Sequence, residues 1–287
     1  MKYLCLLSLF FTLPLWACDK QAKDASRIAV AGGSITEILF YLGEQARIVA
    51  VDITSNYPEA ASSYPSIGYV RNLSAEGTLS LNPTLVLGED DMGPEEILEQ
   101  LAATNIEVIR VPEKHSAAGI IDKVICVGTI VGLEKSKLDQ AIAPLLAKAE
   151  ILNNLVSEEA PKVALLLSIR DGVPTAGGTG TSGDGVLMMS GAKNVFDVFS
   201  GWKPISMESM ATSNPEFIVI PERGVQAAGG MDSVIDHPAV KLTLAGQAGN
   251  ILAVDGMSLL GFGPRTLDTA VTLADAIGSI PKESSGP

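Results

Sequence analysis

The sequence predicts an α/β protein made of two Rossmann-like lobes that one long helix joins, with a ligand cleft between the lobes. Two observations support this fold class. Short apolar runs of strand length alternate with helical patterns in both halves of the chain. In addition, a segment of the first half recurs in the second half.

The first half has the alternation expected of a parallel sheet. Strands are predicted over 27–31, 47–52, 85–88 and 107–111, with a helix over 94–104. Another helix is expected to begin at Ser34 and end near Gly43. Its start is predicted because Ser34-Ile35-Thr36-Glu37 has the spacing of a capping box.

The middle of the chain reads as two helices, over 116–131 and 134–156, which Gly132 separates. A second α/β set follows, with strands over 162–168 and near 216–220 and 250–254, and a last helix over 264–278. These patterns predict an N-terminal lobe over 27–133, a linking helix over 134–157, a C-terminal lobe over 158–280 and a tail over 281–287.

Residues 1–17 have the character of an export signal, with Lys2 ahead of an apolar run that is too short to span a bilayer. Leu15-Trp16-Ala17-Cys18 resembles the lipobox of bacterial lipoproteins and predicts a lipid on Cys18. Trp16 fits that pattern poorly, so ordinary cleavage near Ala17 stays open. Residues 18–26 read as a polar tether, Cys126 as a small core residue, and no disulfide is expected.

The internal repeat relates residues 73–87 to residues 205–219 at a constant offset of 132. Ser74 matches Ser206, Glu76 matches Glu208, and Asn82-Pro83 matches Asn214-Pro215, with an apolar strand after each. Two similar lobes joined by a helix form a cleft, and ligands commonly bind in clefts between domains.

Composition argues against several other classes of protein. The net charge of −13, with no run of Lys or Arg, argues against a nucleic-acid partner. The two histidines, His115 and His237, both lie in turns, and no G-x-S-x-G segment exists, so neither a hydrolase nor a zinc site is predicted. The glycines of 178–183 fit G-x-G-x-x-G without directly following a strand, and they read as a loop that opens a helix at the cleft edge.

Two segments carry a family resemblance. Residues 68–77 (GYVRNLSAEG) and 260–266 (LGFGPRT) resemble segments of hemin-binding periplasmic proteins. These belong to a group with two lobes and one rigid helix that serves importers of haem, cobalamin and ferric siderophores. The resemblance implies a non-enzymatic, monomeric binding protein of the periplasm, with or without a lipid anchor in the inner membrane. It would deliver ferric haem to an ABC permease and ATPase complex, and cobalamin or a ferric siderophore is the alternative cargo.

The resemblance also implies roles for particular residues. Tyr69 would be the axial ligand of haem iron, since a phenolate is a known ligand of ferric haem. Arg71 would lie on the same side of an extended chain and favour the phenolate through its charge. Arg265, at a helix start, would either pair with a haem propionate or be a packing residue.

Glu76 and Glu208 would dock the two lobes onto arginines of the permease, because carboxylate–arginine contacts supply both attraction and orientation. Each Glu also lies where a helix start is expected, and the helix dipole would stabilise it there. His237, in Asp236-His237-Pro238, is expected to be a helix cap rather than a second iron ligand.

Overall fold

The computed structural model describes residues 18, 20–155 and 160–279. The predicted signal segment 1–17 and the tail 281–287 lie outside the described residues. The strands are β1 Ile28–Ala31, β2 Ile48–Val51, β3 Gly68–Tyr69, β4 Asn72–Leu73, β5 Leu85–Glu89, β6 Glu107–Val111, β7 Lys162–Arg170, β8 Val173–Gly177, β9 Lys193–Asn194, β10 Trp202–Pro204, β11 Phe217–Pro221 and β12 Ile251–Val254.

The helices follow the strands through both halves of the chain. They are α1 Gly33–Tyr41, α2 Ala75–Ser80, α3 Glu95–Ala102, α4 Ala117–Ile130, α5 Lys135–Asn153, α6 Ser182–Met189, α7 Met207–Ser213, α8 Glu222–Ala227, α9 Met231–Asp236, α10 Pro238–Lys241, α11 Leu244–Ala248, α12 Gly256–Leu260 and α13 Pro264–Ala276.

The N-terminal lobe contains a parallel sheet in the order β2-β1-β5-β6, as predicted. Alternate residues of β1 point to opposite faces. Ile28 and Val30 pack in the core that contains α1 and α4, whereas Ala29 and Ala31 pack in a second core with Leu98 of α3. The strand is therefore buried on both faces, which explains why β1 reads as a continuous apolar run.

The C-terminal lobe has a mixed sheet in the order β10-β8-β7-β11-β12, with β9 also paired to β7. The predicted parallel pairing holds for β7, β11 and β12, but β8 and β10 are antiparallel. The chain reverses after β7 because Asp171 and Gly172 both have positive φ, at 50° and 74°. Asp-Gly is a preferred pair for such two-residue hairpin turns, so this reversal is encoded in the local sequence.

Helix α5 lies between the two lobes in the chain order and packs against α4. The last helix, α13, packs against α5, α4 and α1, so the C-terminal segment returns to the N-terminal lobe. The sequence predicted α13 as a helix but not this return. The helix therefore ties the second lobe to the first at a second place.

The internal repeat is a structural repeat. Ser74 caps α2 by accepting a hydrogen bond of 3.0 Å from the Gly77 amide, and Ser206 caps α7 by accepting one of 3.1 Å from the Ser209 amide. Asn82 and Asn214, which precede prolines, both adopt left-handed conformations that lead into β5 and β11. Glu76 and Glu208 therefore occupy the first turns of equivalent helices.

The predicted capping box at Ser34 is wrong. Helix α1 begins at Gly33, after Gly32, and no side chain caps it. Ser34 instead donates a hydrogen bond of 2.6 Å to Glu89 Oε1, and Glu37 pairs with Arg265. Both side chains are buried, and burial favours these distant partners over a local cap.

The N-terminal segment differs from the predicted tether. Cys18 forms a disulfide with Cys126 of α4, with their Cα atoms 4.9 Å apart, where no disulfide was expected. Ala22 is buried, and its amide donates to the Ile130 carbonyl at 2.9 Å. The disulfide uses the sulfur atom that a lipid would need, so the two states of Cys18 exclude each other, and lipidation stays a prediction. Across the described ranges, no helix is long and apolar enough to cross a membrane.

Candidate ligand-binding cleft

A cleft of about 440 Å³ lies between the lobes, within the range of roughly 300–1,000 Å³ usual for small-molecule sites. The N-terminal lobe contributes ionisable side chains: Arg71, Glu89, Asp90, Asp91, Glu113 and His115. The C-terminal lobe contributes uncharged residues: Gly180, Thr181, Ser182, Gly201 and Trp202. Leu260 and Gly261 complete the lining.

The topology explains why these residues converge. Glu89 ends β5, and Glu113 follows the end of the neighbouring parallel strand β6. The carboxyl ends of parallel strands meet at one edge of a sheet, which is where open α/β folds bind ligands. The glycine-rich loop that leads into α6 lies at the cleft edge, as predicted, through Gly180, Thr181 and Ser182.

Tyr69 and Arg71 lie on a hairpin beside this edge. Strands β3 and β4 pair in antiparallel fashion, and Val70 and Arg71 form the turn between them. Arg71 Nη1 donates a hydrogen bond of 2.5 Å to the Tyr69 phenol oxygen, and Tyr69 is 36% exposed. The predicted proximity of the two side chains is confirmed. Arg71 lines the cleft, and Tyr69 is joined to the cleft through it.

Asp91 completes this group and was not predicted. Its carboxylate forms an ion pair with Arg71 Nη2. Partial burial lowers the pKa of Arg71, but the charge of Asp91 and the contact with Tyr69 outweigh that and raise it. Two backbone hydrogen bonds of 2.9 Å, from Gly93 to Val70 and from Leu73 to Gly93, hold the Asp91 loop against the hairpin.

The floor of the cleft contains a buried ionic network that was also not predicted from the sequence. Lys123, with a side chain only 1% exposed, pairs with Glu113 and donates to Ser34 Oγ at 3.1 Å. Ser34 in turn donates to Glu89, and His115 Nε2 lies 3.1 Å from Glu113 Oε1. The one sequence signal was a lysine, Lys123, that lies between Ile120 and Val127 at the spacing of the apolar face of α4.

This network shifts two carboxyl groups in opposite directions. Burial raises the pKa of Glu89 to about 7, with Lys123 opposing the shift and Glu113 adding to it. Burial also acts to raise the pKa of Glu113, but the hydrogen bond with His115 and the charge of Lys123 outweigh it and lower that pKa. Glu113 is therefore the ionised partner of the buried lysine.

Arg265 lies elsewhere. Its backbone amide and Nε donate to Glu37 at 2.7 Å and 2.9 Å, and Nη1 donates to Asp255 at 3.2 Å. The Tyr57 ring covers the guanidinium, with its centroid 3.5 Å from Cζ. Arg265 is not among the residues that line the cleft. Its Nη2 is buried without a hydrogen-bond partner among the described residues, and contact of Arg265 with a propionate stays a prediction.

The remaining predicted residues are placed as follows. Glu76 and Glu208 are exposed, away from the cleft lining. His237 caps α10 by accepting a hydrogen bond of 3.3 Å from the Ala239 amide, as expected. Within the part of the chain that the structure describes, no group of three or more His, Cys, Asp or Glu side chains is arranged to hold a metal ion.

The family profile described as "Periplasmic binding protein" matches residues 28–256, so the chain belongs to the periplasmic binding protein family. Among solved structures, it is similar to the periplasmic heme-binding protein RhuT from Roseiflexus sp. RS-1, with 31% identity and a TM-score of 0.83. That match covers 90% of this chain and 100% of RhuT. It is also similar to the periplasmic heme-binding protein HutB of Vibrio cholerae, with 31% identity, a TM-score of 0.79 and coverage of 88% and 98%.

Another relative is named for a different ligand. The vitamin B12-binding protein of Yersinia pestis is 25% identical over 263 residues, which cover 91% of this chain and 89% of the relative. The family and these neighbours are binding proteins rather than enzymes, and the family indicates a periplasmic location. The two-lobed fold class is thereby confirmed.

Proposed function

We propose that this protein is the substrate-binding component of an ABC importer that captures ferric haem in the interlobe cleft. The observation that carries the proposal is the Tyr69–Arg71 hydrogen bond at the cleft, in a fold that the heme-binding neighbours share at 31% identity. The protein acts as a monomer and catalyses no reaction. It hands its cargo to a permease and ATPase complex.

The chemistry of the pair suits ferric iron. A phenol has an ordinary pKa of about 10, so at neutral pH it needs help to bind metal as an anion. Fe(III) itself lowers that pKa, and the Arg71 guanidinium at 2.5 Å stabilises the negative oxygen further. Tyr69 would therefore ligate the iron, and Arg71 would hold the phenolate. Arg265 is left out of the haem site because its guanidinium is bound to Glu37 and Asp255.

Delivery would use the equivalent helices α2 and α7. Glu76 and Glu208 are exposed, one on each lobe, at matching positions of the repeat. Two separated carboxylates fix both the position and the rotation of the protein against arginines of a permease. The mature protein would be free in the periplasm, with Cys18 in a disulfide rather than bound to lipid.

Absorption spectroscopy of hemin binding tests the proposal. Titration of the apo protein should give a saturable Soret shift and a phenolate-to-iron charge-transfer band. Tyr69→Phe should abolish the band and weaken binding by about tenfold or more. Tyr41→Phe is a matched control, because Tyr41 is 39% exposed and its hydroxyl bonds to Ala141 away from the cleft. Saturable binding of cobalamin without binding of hemin would favour the alternative cargo, as the vitamin B12-binding relative suggests.

A further inference from the structure

The charges around the cleft are distributed very unequally between its two walls. The N-terminal lobe places four carboxyl groups in the lining: Glu89, Asp90, Asp91 and Glu113. Among the described residues that line the cleft, Arg71 is the sole Lys or Arg. A ligand that enters the cleft therefore meets a wall that is acidic overall.

The basic side chains in the lining and beneath the floor are already engaged. Arg71 uses Nη1 for Tyr69 and Nη2 for Asp91. Lys123, beneath the floor, is buried and pairs with Glu113. His115 lies against the same carboxylate through Nε2. A carboxylate of a ligand that reached this floor would have to displace one of these internal partners.

Two residues of the opposite wall, Gly180 and Thr181, offer little to an anion. Thr181 Oγ1 donates to the Gly178 carbonyl at 2.8 Å and accepts from the Asp184 amide at 3.0 Å, and the Gly180 amide donates to the Asp184 carboxylate at 3.1 Å. These groups of Gly180 and Thr181 are therefore satisfied within the protein. Trp202 contributes a half-buried indole beside them, which suits contact with a flat apolar ring.

We infer that haem enters this cleft with its vinyl and methyl edge towards the floor and with both propionates towards solvent. The inference rests on the proposed function and specifies the class of ligand. The site recognises the iron and the two faces of a porphyrin, and it does not recognise the carboxylates. Its ligands are then iron porphyrins as a class, including those whose propionates are esterified or carry a bulky amide.

Electrostatics determines the orientation. Two like charges about 4 Å apart, at the effective dielectric of a partly buried site, change a dissociation constant by about a thousandfold. A propionate turned inwards would face Asp90 and Glu113, and also the Glu89 carboxylate above its pKa of about 7. Turned outwards, it keeps its hydration. The phenolate contact of the iron is compatible with either edge, so the carboxylates decide between them.

The test compares three ligands in one dilute-detergent buffer: hemin, hemin dimethyl ester, and hemin with one propionate amide-linked to a poly(ethylene glycol) chain. The dissociation constants of all three ligands should lie within about tenfold of one another. The loss of one charge-assisted hydrogen bond can change a dissociation constant by more than that. All three should show the same charge-transfer band, and Tyr69→Phe should remove it in each case.

The outcomes separate the two proposals. If hemin binds through Tyr69 but the ester and the amide bind about a hundredfold more weakly or not at all, the propionates are held inside and the inferred orientation is overturned while the proposed function stands. If hemin itself fails to bind, or binds with no dependence on Tyr69, both proposals fall.

An Asp90→Asn variant gives a second measurement, the ratio of two ligand affinities, which is the same whatever fraction of the variant folds. Asp90 is exposed at the cleft wall, so the substitution removes charge without opening a core. With the propionates outwards, the ratio of hemin affinity to dimethyl ester affinity should change by less than about threefold. A selective gain for hemin of about tenfold or more would mean that a propionate faces this wall, and it would overturn the inference.

Discussion

The Arg71 guanidinium holds the Tyr69 phenol oxygen at 2.5 Å with one terminal nitrogen, while its other terminal nitrogen pairs with Asp91. The fork of the guanidinium thereby joins a two-residue hairpin turn to the loop after β5. Because backbone hydrogen bonds already hold that loop against the hairpin, the side-chain geometry is set before any ligand arrives.

Loss of the guanidinium should weaken phenolate formation. We expect Arg71→Ala to weaken hemin binding by about 10- to 100-fold, the range for a charge-assisted hydrogen bond, and to weaken the phenolate-to-iron charge-transfer band. Hemin titration followed in the Soret and charge-transfer bands measures both effects. Arg71→Lys, which keeps the charge but not the fork, should be intermediate. Unchanged hemin affinity in Arg71→Ala would contradict this role.

The raised pKa of Glu89 predicts a pH dependence of stability. In the folded protein this pKa is about 7 against an ordinary value of 4.5, so the folded state holds the proton over a range in which the unfolded state has lost it. The contribution of Glu89 to the free energy of unfolding is complete below pH 4.5 and is lost as pH rises through about 7.

Glu89→Gln should remove this pH dependence. We expect the free energy of unfolding of the wild type to fall by roughly 1–3 kcal/mol between pH 5 and 8 because of Glu89. Urea unfolding at a series of pH values measures it. Glu99→Gln, at an exposed position of α3, is the control and should keep the wild-type slope. Equal slopes in wild type and Glu89→Gln would show that Glu89 ionises normally.

The position of Arg265 predicts a loss of stability rather than of affinity. Arg265→Met leaves the Glu37 carboxylate, 6% exposed, without its cation. The free energy of unfolding should fall by about 3 kcal/mol, and Glu37→Gln added to the variant should restore part of it. Hemin affinity should stay the same. A variant that keeps its stability but binds hemin more weakly would instead support the propionate contact.

Charge reversal on the two lobes should separate delivery from capture. We expect Glu76→Arg and Glu208→Arg to leave hemin affinity nearly unchanged, because both side chains are exposed and lie outside the cleft lining. Reconstituted transport, or stimulation of transporter ATPase activity, should fall strongly, and most in the double variant. Glu96→Arg, at another exposed helix start, serves as a control. Loss of hemin binding with intact docking would reverse these roles.

The Cys18–Cys126 disulfide predicts a chain without lipid. The intact mass of the protein, exported to an oxidising compartment, should show no acyl groups. It should also be lower by two hydrogen atoms, because thiol oxidoreductases of the envelope accept them when the disulfide forms. Reduction should lower the free energy of unfolding by about 2–5 kcal/mol, since the bond closes a long loop. Palmitate labelling that persists in Cys126→Ser and in wild type alike would show that lipidation prevails.

Local signals in the sequence predicted much of the fold because they depend on short-range physics. The serines that cap α2 and α7, and the Asn-Pro pairs that follow them, act within a few residues of themselves, so the repeat could be recognised as structural. The strands of the N-terminal sheet were predictable for a similar reason. Their buried apolar runs and the helices between them dictate parallel pairing.

Long-range partners were decided only by the tertiary structure. Ser34 and Glu37 have the spacing of a cap, yet they bond to Glu89 and Arg265, which lie 55 and 228 residues away. In the same way, the fold brings Lys123 and Glu113 together at the floor of the cleft. It also places Asp91 beside Arg71. A buried polar group must find whichever partner the packed fold brings within hydrogen-bond distance, because leaving it unpaired costs more than losing a local contact. The sequence by itself therefore determined the lobes, the repeat and the Tyr69–Arg71 pair, and the tertiary structure decided which charges face the ligand.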